Sequence, residues 1–136
     1  MVNQEIKIFC DGGSRGNPGP SAAGVVITTT EDEILTEHCE YLGIQTNNFA
    51  EYSAVLLALR NIDQKHLIGK ITFYLDSQLV VRQLNGEYKV KNANIKGLYE
   101  QIVSQISNLN VSFHHVYRED NKLADAQVNK CLDDRL

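Results

Sequence analysis

The sequence is poor in the features that mark membrane, secreted and disordered proteins. It contains no tryptophan, two prolines and three cysteines, and its formal net charge is −4. Its longest apolar stretches, such as residues 55–59, fall far short of the roughly 20 residues that span a bilayer. Residues 1–8 lack the long apolar centre of a signal peptide. We therefore expect a soluble, cytoplasmic protein with no membrane contact.

Cysteine and linker content are equally restrictive. Cys10, Cys39 and Cys131 cannot all pair and show no CxxC spacing, so neither a disulfide framework nor a zinc site is predicted. No Gly/Ser-rich or acidic tract interrupts the chain. With 136 residues, 43% of them hydrophobic, the chain can bury one real core. We predict a single domain over residues 1–136, and a monomer.

The negative charge argues against broad electrostatic attraction to nucleic acid, because a phosphate backbone draws basic proteins. That argument weakens if several acids lie together and bind divalent cations, since a bound metal inverts the local charge.

Hydrophobic periodicity predicts an α/β fold with the element order βββαβααβα. Candidate N-caps precede three of the helices: Thr46, Asn47 or Asn48 for the first, Ser77 for the second, and Asp120 or Asn121 for the last. The third helix is predicted from apolar spacing over residues 95–106. Strands are predicted at residues 5–11, 22–30, 34–42, 70–77 and 111–117.

The connections predict a mixed five-stranded sheet flanked by helices. Helical crossovers make strands parallel, so the strands that begin at Glu5, Lys70 and Val111 should lie side by side, with a three-stranded antiparallel meander on one flank. Asp11 and Asp76 then stand at the carboxyl ends of neighbouring strands, where ligands of open α/β sheets bind.

A glycine-rich stretch, "GGSRGNPGP", follows Asp11 directly. It lacks the Gly-Lys-Ser/Thr of a P-loop, and a strand follows it where a dinucleotide fingerprint needs a helix. Two interpretations stay open: the glycines and prolines merely permit a wide turn, or the bare backbone lets a bulky ligand approach.

Two further acids belong with this pair. Glu51 is placed in the first turn of the long helix, and Asp125 lies between two alanines in the closing helix. Taken singly, Glu51 could serve the helix dipole, Asp76 could end a strand, and Asp125 could be solvated. Together, four converging carboxylates would repel one another unless a cation compensates.

The ligand chemistry predicts which cation this is. Oxygen ligands with no His or Cys cluster favour Mg²⁺ or Mn²⁺ over zinc. Two such ions can activate a water on one side of a phosphodiester and stabilise the leaving oxygen on the other. The acids therefore predict hydrolysis of a nucleic acid backbone.

Four blocks of the chain resemble, in order, the active-site blocks of type 1 ribonuclease H: "DGGSRGNPGPSAAG", "TNNFAEYSAVLLAL", "YLDSQLVV" and "NKLADAQVN". The resemblance runs essentially from end to end. It implies that Asp11, Glu51, Asp76 and Asp125 are metal-binding catalytic acids. It also implies cleavage of the RNA strand of RNA/DNA hybrids, leaving a 3′-hydroxyl and a 5′-phosphate.

The same resemblance implies a set of substrate contacts. One group would bind the RNA minor groove and its 2′-hydroxyls, and another the backbone, including a phosphate of the DNA strand. The first group is Gly12, Gly13, Ser14, Asn17 and Gln78, and the second is Thr46, Asn47 and Asn48.

The chain also departs from the larger bacterial members. It lacks their histidine-bearing loop before the last acid and their basic, Trp-bearing protrusion, and resembles the compact archaeal and bacterial branch, in which an arginine at the position of Arg118 is implicated in activity. His114 and His115 are expected to be structural. The candidates left for electrostatic grip are Lys89, Lys91 and Lys96. Two alternatives therefore stay open: a non-catalytic hybrid-binding module, and a nuclease that also cuts double-stranded RNA.

Overall fold

The computed structural model describes residues 4–135, so the ends of the predicted domain, residues 1–3 and 136, lie outside it. The observed order of main elements, βββαβααβα, confirms the prediction. Short 3₁₀ turns, Gln64–His66 and Arg118–Asp120, precede β4 and α4. The elements are β1 (Ile6–Ser14), β2 (Gly19–Thr29), β3 (Ile34–Gln45), α1 (Asn47–Arg60), β4 (Lys70–Leu75), α2 (Gln78–Leu84), α3 (Ala93–Ile106), β5 (Asn110–His115) and α4 (Lys122–Asp134).

The five strands form one mixed sheet in the order β3-β2-β1-β4-β5. β1, β4 and β5 are parallel neighbours, and β1, β2 and β3 form the antiparallel meander. Both features confirm the predicted fold class.

The helices pack on both faces of the sheet. α1 packs against β1, β2 and α3, whereas α4 packs against β2, β1 and β3. β2 is buried along almost its whole length, because Ala23, Val25 and Ile27 enter the main core while Ala22 packs on Val128 and Leu132 of α4. None of the helices within residues 4–135 is long and apolar enough to cross a membrane.

The glycine-rich stretch is mostly strand, which corrects the predicted wide turn. β1 continues through Ser14, and its pairing with β2 runs on through Gly13↔Ala22 and Ser14↔Ser21. The loop proper is residues 15–18. Asp11 is therefore not at the end of β1. It lies one residue beyond Cys10, where the parallel pairing with β4 stops.

Two of the predicted helix starts are confirmed. The Thr46 hydroxyl accepts a hydrogen bond from the Phe49 N–H at 3.2 Å, and the Ser77 hydroxyl accepts one from the Val80 N–H at 3.3 Å. Each cap satisfies an N–H that has no partner inside its helix.

Candidate active site

A cleft of about 490 Å³ opens at the edge of the sheet where the parallel pairing of β1 and β4 ends. It contains all four predicted acids and Arg118, contributed by β1, α1, α4 and the segments that follow β4 and β5. Its polar and glycine lining is Asp11, Gly12, Gly13, Ser14, Arg15, Asn47, Glu51, Asp76, Arg118, Asp125 and Asn129.

Asp11 is the most perturbed acid of the cleft. Asp76 directly follows Leu75, the parallel partner of Cys10, so the two carboxylates leave neighbouring strands at the same level. Burial, followed by the charges of Asp76 and Asp125, raises the pKa of Asp11 to about 8. In its protonated form Asp11 donates a hydrogen bond to Asp125.

Glu51 reaches the cleft because β1 and α1 touch through Gly12. A Cβ atom on Gly12 would lie 2.2 Å from the carbonyl carbon of Ala50 and 2.3 Å from the Glu51 nitrogen. The backbone of α1 thus occupies the space that a side chain at Gly12 would need, whereas the sequence suggested that this space receives a ligand. Glu51 is also the fifth residue of α1, beyond the first turn, which removes the helix-dipole interpretation.

The Glu51 carboxylate is buried but incompletely satisfied. Burial raises its pKa to about 7, although a hydrogen bond from Ser77 acts against the rise. Its Oε2 atom is buried and has no hydrogen-bond partner among the described residues. A buried oxygen of this kind is unfavourable unless something binds it.

Asn121 ties the first acid to the last. It occupies the N-cap position of α4, as predicted, but its side chain caps nothing. Its side-chain Nδ2 donates to the Cys10 carbonyl at 2.9 Å, and its backbone carbonyl accepts from the Asp125 N–H at 3.1 Å. Asn121 is 1% exposed, so this link between β1 and α4 is shielded from water. Sequence reasoning missed the role, because a helix-start Asn looks like an ordinary cap.

The donor set suits a hard divalent cation. The four carboxylates supply only oxygen atoms, and the Glu51 Oε2 atom needs a partner. Burial first, and neighbouring carboxylates second, raise the pKa values of Asp11 and Glu51, so a bound cation would relieve both causes. Within residues 4–135 no three His, Cys, Asp or Glu side chains already form a complete ligand cluster. The fit to a cation therefore rests on the oxygen chemistry of the acids and on the unpartnered Glu51 Oε2.

A second network joins the β1–β2 hairpin to the start of α1. The Asn47 amide oxygen accepts from the Ser14 N–H at 2.9 Å, and the Asn17 amide oxygen accepts from the Asn47 N–H at 3.0 Å. The single proton of the Ser14 hydroxyl is shared between the Gln45 carbonyl, at 3.0 Å, and the Gly16 carbonyl. Three residues that are predicted to contact substrate, Ser14, Asn17 and Asn47, are therefore hydrogen-bonded to one another.

An amide-rich groove of about 490 Å³ adjoins this network. It shares Asn47 and Glu51 with the acidic cleft and includes the predicted residues Asn17, Thr46 and Asn48. Sequence reasoning missed its far wall, Asn92 and Asn94, at the start of α3. The cluster of amides in "KNANIK" was the available signal, and Asn92 within it also caps α3.

Other predicted residues lie apart from the cleft. Gln78 is exposed at the start of α2 and does not line it. His114 and His115 are exposed on β5, where His114 stacks near Tyr74 and His115 contacts Tyr117. Lys89 and Lys96 line a separate groove beside Tyr88 and Tyr99. The substrate contacts proposed for Gln78, Lys89, Lys91 and Lys96 stay predictions.

Comparison with known proteins agrees with this fold. Residues 9–131 match the family described as reverse transcriptase-like. The chain is 31% identical to the ribonuclease H of Polynucleobacter asymbioticus over 149 aligned residues, which cover 96% of this chain and 92% of that protein. The chain therefore belongs to the ribonuclease H family, and its structural neighbours place it with the type 1 enzymes.

Solved structures give the same result. LC11-RNase H1, isolated from compost by a metagenomic approach, is 39% identical, with a TM-score of 0.92 over 97% of this chain and 98% of that chain. The same protein in complex with an RNA/DNA hybrid gives a TM-score of 0.87.

Other relatives are longer than this chain. The bifunctional protein Rv2228c of Mycobacterium tuberculosis is 36% identical over 135 residues, which cover 95% of this chain and 36% of that protein. The chain thus spans about a third of the first relatives it matches.

Proposed function

We propose that this protein is an endoribonuclease that hydrolyses the RNA strand of RNA/DNA hybrids and leaves 3′-hydroxyl and 5′-phosphate ends. Asp11, Glu51, Asp76 and Asp125 would hold two divalent ions, Mg²⁺ or Mn²⁺. The observation that supports this most directly is the single cleft that gathers these carboxylates, one of them with a buried, unpartnered oxygen. The LC11-RNase H1 complex supports the choice of substrate.

The chain's own residues account for the positioning steps. Ribonucleases H are metal dependent in general. Bound ions would activate the attacking water and stabilise the leaving oxygen. Gly12 and Asn121 fix the separation of β1 from α1 and α4, so the acids on those elements are held before substrate arrives. Arg118 lines the same cleft and offers a guanidinium to the scissile phosphate.

Substrate recognition would rest on shape and the 2′-hydroxyl. Backbone of Gly13 and side chains of Ser14, Asn17 and Gln78 are proposed to contact the RNA strand. Thr46, Asn47 and Asn48 line the adjoining amide-rich groove, where they could receive backbone of the paired strand. Contacts of this kind carry no base information, so we expect little sequence preference.

Three labelled duplexes of the same sequence test the proposal: an RNA/DNA hybrid, double-stranded RNA and double-stranded DNA, each with Mg²⁺ and with chelator. We expect Mg²⁺-dependent internal cuts in the RNA of the hybrid alone, with a 5′-phosphate on the downstream fragment. Binding without cleavage would instead indicate a hybrid-binding module. Equal cleavage of double-stranded RNA would indicate the broader nuclease.

A further inference from the structure

Three side-chain pairs connect β3 to α4 in a regular ladder. At one end, Gln127 Nε2 donates to Glu37 Oε2 at 2.8 Å. At the other end, the Arg135 guanidinium carbon lies 5.0 Å from the centre of the Tyr41 ring. Between them lie Cys39 of β3 and Cys131 of α4, and the neighbouring Cys39 thiol helps to raise the pKa of Cys131. The two outer contacts therefore bring two cysteines together as the middle pair.

The spacing of the ladder explains why the cysteines meet. Its members recur at every second residue of β3 and at every fourth residue along α4, of which the last, Arg135, is the C-cap. Two strand residues rise about 6.7 Å and four helix residues rise about 6 Å, so the two series stay in step when the elements run alongside each other. With both outer pairs in contact, the middle pair of cysteines is held close together by its neighbours.

Gly24 on β2 brings the helix close enough for this contact. It is the sheet neighbour of Cys39, and a Cβ atom there would lie 2.5 Å from the Ala124 carbonyl oxygen and 2.9 Å from the Gln127 Cβ. Because Gly24 has no side chain, α4 packs directly on the backbone of β2. This close packing brings one side of α4 into contact with β3.

We propose that Cys39 and Cys131 are a redox-active pair that forms an intramolecular disulfide with a small-molecule disulfide as oxidant and thereby fastens α4 to β3. Both cysteines are partly exposed, so a small oxidant can reach them, whereas Cys10 is buried at 1% exposure. Nothing in the proposed nuclease reaction uses this pair, so the inference is independent of that reaction.

The exchange balances in two steps. The Cys39 thiolate attacks one sulfur of the oxidant, forms a mixed disulfide and releases one small thiol. Cys131 then loses its proton and attacks the Cys39 sulfur, which forms the protein disulfide and releases the second small thiol. The two cysteines give up two protons and two electrons, and the oxidant takes up both.

The order of the steps follows from the environment of Cys131. Burial and the neighbouring Cys39 thiol raise the pKa of Cys131 to about 12, so its thiol is protonated at neutral pH and is the poorer attacking group. Cys131 is therefore the resolving cysteine, and ring closure should accelerate as pH rises above about 8.

The test treats the full-length protein with oxidised glutathione at about pH 8. We expect wild type to lose the mass of two hydrogens, to yield one linked peptide pair containing Cys39 and Cys131, and to keep Cys10 as its one thiol titratable after denaturation. The variants C39S and C131S should not close this bond. Cys39 in C131S should form a glutathione adduct readily, whereas Cys131 in C39S should form one more slowly. Closing a loop of this length should raise the thermal midpoint of wild type by roughly 5 °C or more, reversibly with reductant.

Several results would overturn the proposal. They are a stable glutathione adduct on native wild type without ring closure, thiols that stay free while urea-unfolded protein oxidises, a linked peptide that contains Cys10, or a disulfide between two molecules. A wild-type thermal shift that also occurs in C39S would do the same, because it could not come from this bond.

Discussion

At the scale of single residues, the acids of the cleft destabilise the metal-free fold. Asp11 interacts with the other three acids, and Asp11 and Glu51 are also largely removed from water. Their raised pKa values mean that folding without metal takes up protons near neutral pH, which costs free energy. A site built for cations is therefore unfavourable without them.

Asp11→Asn tests this cost directly. The amide cannot ionise, so we expect the metal-free variant to be more stable than wild type near pH 7 by about 2–4 kcal/mol, and to lose that advantage below about pH 4. Cleavage of hybrid should fall by at least about 100-fold. Urea unfolding in chelator gives the first quantity and the hybrid assay the second.

Glu33→Gln is the matched control, since Glu33 is an exposed carboxylate in the β2–β3 turn at the opposite end of the sheet. It should change stability by less than about 0.5 kcal/mol. Wild-type cleavage by Asp11→Asn would remove Asp11 from the mechanism.

Arg118 lines the cleft from the β5–α4 connection. Replacing it by alanine removes a guanidinium without touching the four carboxylates. We expect kcat on hybrid to fall about tenfold or more, with an unchanged thermal midpoint. Arg60→Ala, which breaks an exposed ion pair with Glu40, is the control and should keep wild-type kinetics. If both variants behave alike, Arg118 is a surface cation.

At the scale of elements, the site depends on how closely β1 approaches α1. Gly12 is the contact point, and there the backbone of Ala50 and Glu51 occupies the space of a side chain. Backbone atoms cannot rotate aside as a side chain can, so the strand and helix would have to separate.

Gly12→Ala should therefore destabilise the protein by about 3 kcal/mol or more and displace Glu51 from the cleft. The control is Gly97→Ala on α3, where an added Cβ meets nothing within 4 Å and should stabilise the helix by about 0.5–1 kcal/mol. Urea denaturation gives the free energy of unfolding of both variants. Equal values would show that β1 and α1 can separate at Gly12 without cost.

The same elements show how far sequence reasoning reached. Period-two and helical spacing predicted all five strands and four helices. The placement of acids at the ends of neighbouring strands predicted the cleft. The sequence prediction was wrong about the glycines after Asp11. Their low strand propensity indicated a turn, but β1 continues through them because they pair with β2. Sequence reasoning could not find the Asn121 link, because side-chain contacts between distant segments leave no local pattern.

At the scale of the whole molecule, metal binding and protonation should compete. Asp11, with a pKa of about 8, and Glu51, with a pKa of about 7, both titrate well above the range of unfolded carboxylates. Their protonated forms stabilise the metal-free fold fully below about pH 4, and that contribution is lost as pH rises through about 8. A divalent cation binds only the ionised forms, so its stabilising effect has the opposite pH dependence.

We therefore expect Mg²⁺ to raise the free energy of unfolding by at least about 1 kcal/mol more at about pH 8.5 than at about pH 5.5, because a tenfold gain in affinity adds about 1.4 kcal/mol when the site is near saturation. Thermal unfolding in matched ionic strength, with Na⁺ replacing Mg²⁺, measures the difference. In Asp11→Asn the pH dependence should shrink, since one competing proton is gone. A stabilisation that is equal at both pH values would show that Mg²⁺ binds elsewhere than at the four carboxylates.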